Sequence, residues 1–75
     1  MDTIITILNG LKSGVDFASA EGIVTDRIID SIDVGILISS LEEEFDIEID
    51  MEYMDNKNFD TVSAIWKMVQ EIQEG

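Results

Sequence analysis

Residues 30–45 read Asp30-Ser31-Ile32-Asp33-Val34-Gly35-Ile36-Leu37-Ile38-Ser39-Ser40-Leu41-Glu42-Glu43-Glu44-Phe45, and the spacing within this stretch decides the class of fold. Val34, Leu37, Ile38, Leu41 and Phe45 recur at i, i+3, i+4, i+7 and i+11, which is one apolar face of an α-helix. Asp30 is a favoured N-cap, and Asp33 is placed to reach back to the cap's own N–H. A helix over 31–45 follows, with Ser31 in its first turn. An anion on that hydroxyl would meet unpaired N–H groups and the positive end of the helix dipole, although the two aspartates oppose it. The simpler possibility is that Ser31 is itself the cap and has no other role.

Upstream, Ile4, Ile7, Leu8, Leu11 and Val15 keep a helical period. Asp2 as cap and Gly14 as a left-handed stop predict a first helix over about 3–13. Residues 15–29 hold neither period and form a long connection, anchored by Phe17, Ile23, Val24, Ile28 and Ile29. Connections longer than roughly 12–15 residues are uncommon in compact domains and tend to be functional. Downstream, residues 45–51 alternate apolar and acidic, which is a strand pattern, but no second such run exists to pair with it. Residues 46–50 are therefore expected to form an extended connector that inserts Ile47 and Ile49 into a helical core. Asp50 would cap a short helix over about 51–55, with Met51 and Met54 facing inward and Tyr53 at the rim, and Asn56-Lys57-Asn58 would break it. Asp60 would cap a last helix whose apolar face is Val62, Ile65, Trp66, Val69 and Ile72. These elements predict an all-α domain over residues 1–75: a small antiparallel four-helix bundle, three helices longer and one short, with a long loop between helices one and two.

The composition narrows the function. A hydrophobic content of 45% and a mean hydropathy of +0.15 supply enough apolar surface for folding. A net charge of −13 from 17 acidic and 4 basic residues excludes nucleic acid as a partner, because phosphate binding needs Lys and Arg to displace counterions. It points instead to basic protein surfaces met by steered, salt-sensitive encounter. Between residues 28 and 56 there are ten carboxylates and no Lys or Arg, so the field is concentrated on one side. Glu42, Glu43 and Glu44 crowd the negative pole of their helix, each disfavoured by about 0.3–1 kcal/mol, and such a conflict marks either a docking surface or merely a solvated face. With no Cys and no His, the chain lacks a thiolate nucleophile and the commonest general base and metal ligand. Asp46, Glu48 and Asp50 imitate the start of a calcium loop, but Met51 stands where that loop needs Gly, so no metal site is expected. No apolar run approaches the roughly 20 residues of a membrane span, and the first residues show no basic, cleavable leader. A cytoplasmic location is the expectation.

Asp30-Ser31-Ile32-Asp33, followed by Leu41-Glu42-Glu43-Glu44-Phe45-Asp46-Ile47-Glu48-Ile49, resembles the acyl carrier protein family, most specifically over residues 28–49. The resemblance implies that Ser31 carries 4′-phosphopantetheine donated by coenzyme A, and that this arm supplies the thiol the chain does not encode. The protein would then be no enzyme but a monomeric, stand-alone carrier of acyl or aminoacyl thioesters. Its partners would be a phosphopantetheinyl transferase and ligases or synthases with basic docking patches, met by Asp30, Ile32, Asp33, Ile36, Glu42 and Glu43. Ile36 stands where fatty-acid carriers usually have a second acid, which favours an aminoacyl or D-alanyl carrier over a fatty-acyl or polyketide one. The alternative from another class is an unmodified acidic helical adaptor for a basic protein surface.

Overall fold

The computed structural model describes residues 2–74. Four α-helices follow in order: α1 (Asp2–Leu11), α2 (Ser31–Phe45), α3 (Asn56–Phe59) and α4 (Val62–Glu74), with one 3₁₀ turn at Met51–Tyr53 before α3. Among the described residues there is no strand. The three long helices are those whose sequences carry an apolar stripe. Ile4 and Leu8 of α1, Leu37 and Leu41 of α2, and Ile65, Met68 and Val69 of α4 are all buried. Each such side chain contributes about 1.5–3 kcal/mol of burial free energy. α1 lies against both α2 and α4, and α3 lies against α4.

The irregular segments contribute to the same core. Between α1 and α2, Phe17, Ile23 and Ile29 are buried, with Val24 and Ile28 packed beside them, so the long segment is fastened down by its own side chains. Residues 47–50 have no regular structure, yet Ile49 is buried and Ile47 packs on the core. The alternating pattern thus delivers alternate side chains inward without forming a sheet.

Several local expectations need correction. Asp2 is the first residue of α1 and not a cap preceding it, and α1 ends at Leu11, short of Gly14, whose φ is +82°. Asp33 sends no hydrogen bond back to the cap: its N–H donates to Asp30 Oδ1 at 2.9 Å. Met51 and Met54 do not face inward but are 87% and 44% exposed, because the 3₁₀ turn that Met51 opens is only three residues long and ends before Met54, and Ile49 and Phe59 on either side fill the core. Asn56-Lys57-Asn58 does not break a helix; it forms most of α3, with Asp55 Oδ1 accepting from the Lys57 N–H at 3.3 Å and Phe59 buried at its end. Asp60 does not cap α4. Thr61 does, its Oγ1 accepting from the Ala64 N–H at 3.0 Å.

No charged side chain is buried among the described residues, and the one ion pair among them, Lys57–Asp55 at 4.0 Å, is exposed. The acids therefore repel one another largely uncompensated. The longest dimension is 33 Å, close to the screening length of about 30 Å at 0.01 M salt, which contracts to about 10 Å at 0.1 M. Raising the salt concentration through this range is expected to raise the melting temperature, and a melt indifferent to salt would show that the charges are better paired than this.

Candidate functional site

Ser31 opens α2, and Asp30 before it does the capping. Asp30 is extended (φ −91°, ψ −178°) and its side chain accepts from the Asp33 N–H, while its carbonyl accepts from the Val34 N–H at 2.9 Å. Ser31 is thus the first helical residue, it is exposed, and it is not the cap. That removes the simpler account of this serine.

The hydroxyl-bearing residue lines a cleft of about 460 Å³ together with Val24, Arg27, Ile29, Asp30, Val34 and Asn56. The cleft draws on three parts of the chain: the end of the α1–α2 segment, the first turn of α2, and the start of α3. Arg27 and Asn56 supply donors, Val24 and Val34 apolar contact, and Asp30 an acid. The exposed serine thus shares this cleft with an arginine and an asparagine.

One carboxylate outside the cleft fixes its wall. Asp60 Oδ1 accepts from the N–H groups of Val24 at 3.0 Å and Thr25 at 2.9 Å, and its Oδ2 from the Thr25 hydroxyl at 2.7 Å. The Asp60 carbonyl also accepts from the Ile23 N–H at 3.0 Å. Burial pushes the Asp60 carboxyl upward, but the hydrogen bonds from the Thr25 hydroxyl and the Thr25 and Val24 N–H groups outweigh it and hold the carboxyl below its ordinary value of 3.8. The turn that contains these residues, Gly22 to Asp26, is tight. Gly22 has φ +69°, and a β-carbon there would fall 2.5 Å from Asp26 Oδ2.

No family model, no curated protein and no solved structure matches the chain. The remaining sites named from sequence divide by environment. Ile32 and Ile36 are 74% and 48% exposed, one helical turn apart on α2, and present an uncovered apolar strip beginning next to Ser31. Asp30 and Glu43 are exposed and Asp33 is half-buried.

Glu42 has structural work that sequence reading missed. It is half-buried, and its Oε2 accepts from the Ile49 N–H at 2.9 Å, tying the acidic connector back to α2. At the end of the helix Asp46 is left-handed (φ 52°, ψ 53°) and the Ile47 N–H reaches the Glu42 carbonyl at 3.1 Å, a Schellman-type closure. Glu42→Ala is expected to cost about 1–2 kcal/mol by orphaning a part-buried donor, whereas Glu43→Ala should leave stability unchanged or raise it. Paired thermal melts check this: equal losses in both variants would deny Glu42 its structural part. Asp46, Glu48 and Asp50 do not converge, and no three carboxylates among the described residues form a metal-holding group.

Proposed function

We propose that this protein is a carrier: Ser31 bears a 4′-phosphopantetheine arm, and the protein presents acyl or aminoacyl groups on that arm to partner enzymes. The observation that carries this is the division of labour at the start of α2, where Asp30 caps the helix and leaves Ser31 exposed at the edge of a cleft with Arg27 and Asn56. When bound, the arm supplies the thiol that holds the cargo as a thioester. In its attachment, Ser31 Oγ attacks the phosphorus next to the pantetheine in the diphosphate of coenzyme A. The new Ser31 O–P bond replaces the P–O bond of the diphosphate, adenosine 3′,5′-bisphosphate departs with that bond's electron pair, and the hydroxyl proton passes to a base of the transferase.

The protein performs no catalysis of its own in this proposal. Its long helices run antiparallel, the α1–α2 segment crosses the bundle as a long loop to reach Ser31, and the single domain works as a cytoplasmic monomer. Asp30, Asp33 and Glu43 supply the charge met by basic docking patches, while Ile32 and Ile36 supply an apolar centre. Glu42 acts there chiefly through the connector it holds. The exposed Ile36 favours an aminoacyl or D-alanyl cargo system over a fatty-acyl or polyketide one. No helix among the described residues is long and apolar enough to cross a membrane.

The test is intact mass after incubation with coenzyme A and a broad-specificity phosphopantetheinyl transferase, with peptide fragmentation to locate the adduct. A mass gain at Ser31 is expected. No gain would leave the acidic adaptor for a basic protein surface as the better account.

A further inference from the structure

Arg27 carries the only positive charge between residues 13 and 56, and it does so from an unfavourable backbone. Its φ is +57°, in the left-handed region where glycine is at ease and a β-carbon is crowded. The turn is imposed from both sides. The Asp26 N–H donates to the Gly22 carbonyl at 2.7 Å, the Arg27 N–H to the Val24 carbonyl at 3.1 Å, and the Ile29 N–H to the Ile23 carbonyl at 3.2 Å. Ile23 and Ile29 are both buried, so the chain between them cannot relax without exposing core. A glycine would satisfy this geometry, yet an arginine occupies it. A side chain kept at a strained position beside a site calls for a use there.

That side chain has found no acid among the described residues. Although the chain holds 17 carboxylates, Lys57–Asp55 is the one ion pair among the described residues, so none of their carboxylates lies within salt-bridge distance of Arg27. Arg27 and Ser31 line the same cleft. A phosphodiester on Ser31 brings one negative charge to a helix start whose free N–H groups favour it and whose Asp30 and Asp33 carboxylates oppose it. A guanidinium presents a planar fork of donors that suits two phosphate oxygens.

We propose that Arg27 is a positioning residue for the phosphate that joins the arm to Ser31, neutralising it across the cleft and fixing the base of the arm while the remainder stays mobile. This rests on Ser31 carrying that arm. It assigns the strained turn a purpose: the backbone of residues 26–28 delivers a guanidinium to Ser31 in a region where the sequence supplies no other cation.

The experiment compares wild type, Arg27→Lys and Arg27→Gly before and after modification, by intact mass, ³¹P NMR and ¹H–¹⁵N spectra. Arg27 is the single arginine of the chain, so its Nε–Hε signal is assigned without ambiguity. In wild type, modification is expected to shift that signal and slow its exchange with water. The ³¹P resonance of modified Arg27→Gly is expected to be displaced from wild type, with Arg27→Lys recovering part of the difference. Apo Arg27→Gly should melt at or above the wild-type temperature, since glycine relieves the strain. Should it fail to fold, Arg27→Asn, which tolerates the left-handed region, takes its place. Modified protein whose ³¹P resonances coincide in all variants, with an unmoved Nε–Hε signal, overturns the phosphate contact and leaves the carrier function standing. Absence of any mass gain in wild type removes both.

Discussion

Ser31→Ala is expected to gain no phosphopantetheine under conditions that convert wild type completely, and to melt within about 0.5 kcal/mol of it, as exposed substitutions do. Both halves follow from the start of α2. The cap hydrogen bond belongs to Asp30 and Asp33, so removing the hydroxyl takes nothing from the helix. Were Ser31 the cap, the same change would cost about 1 kcal/mol. The loss of modification would then be entangled with loss of structure, and here it is not. Ser13, Ser19, Ser39, Ser40 and Ser63 remain in the variant as internal controls. Equal modification of wild type and Ser31→Ala would move the attachment to one of them and defeat the assignment.

Asp60→Ala is expected to lower stability by about 1–3 kcal/mol, because hydrogen bonds to a charged acceptor are each worth about 1.5–3 kcal/mol and are not additive, and two of the three made here are exposed to solvent, which weakens them. Three donors lose their acceptor at once, in a domain whose total stability at roughly 0.05–0.15 kcal/mol per residue is small. Asp60→Asn should lose less, since its amide oxygen still accepts. The pH dependence separates the charge from the geometry. The folded state holds the Asp60 carboxyl below 3.8, so the unfolded chain binds its proton first as pH falls. The stabilisation is therefore complete above about pH 4 and is lost as pH drops through the lower folded value. Urea unfolding of wild type and Asp60→Asn should show a gap that is full at pH 7 and closes in acid. A gap unchanged at pH 2 would show that the charge contributes nothing. Amide exchange at Val24 and Thr25 should accelerate in Asp60→Ala ahead of the core, because these two N–H groups lose their acceptor directly.

Legibility from the sequence followed the range of each interaction. α2 could be bounded at both ends, because its stripe and its Asp30 cap are local chemistry written within a few residues. The inward insertion of Ile49 was equally legible, since alternation survives whether or not a partner strand exists. Asp60 was not: Asp60 and Thr61 are adjacent and both suit a cap, and the choice of Thr61 releases Asp60 for donors 35 and 36 residues away. Nothing local records that. The exposure of Met51 and Met54 is hidden for the opposite reason: a helical period points them inward, but the segment makes only one 3₁₀ turn. Asn56-Lys57-Asn58, whose two asparagines are weak helix formers, is helical through the Asp55 cap and the burial of Phe59. At the candidate site, the place of Ser31 in the first turn of α2 is local and legible. The exposure of the residue and the cleft it shares with Arg27 and Asn56 needed the tertiary arrangement, because residues 27, 31 and 56 meet only when the long segment and α3 close on the start of α2.

At the far end of α2, the Phe45 ring lies 5.9 Å from that of Trp66 in α4, tilted by 57°, and Trp66 is the only indole in the chain. A 15-residue helix is about 22 Å long, so this pair stands well away from the Ser31 hydroxyl. The molecule therefore carries a single native indole at the contact between α2 and α4, where unfolding must separate it from the Phe45 ring. Wild type, Asp60→Ala and Glu42→Ala can thus be titrated with denaturant on one optical scale, without a label.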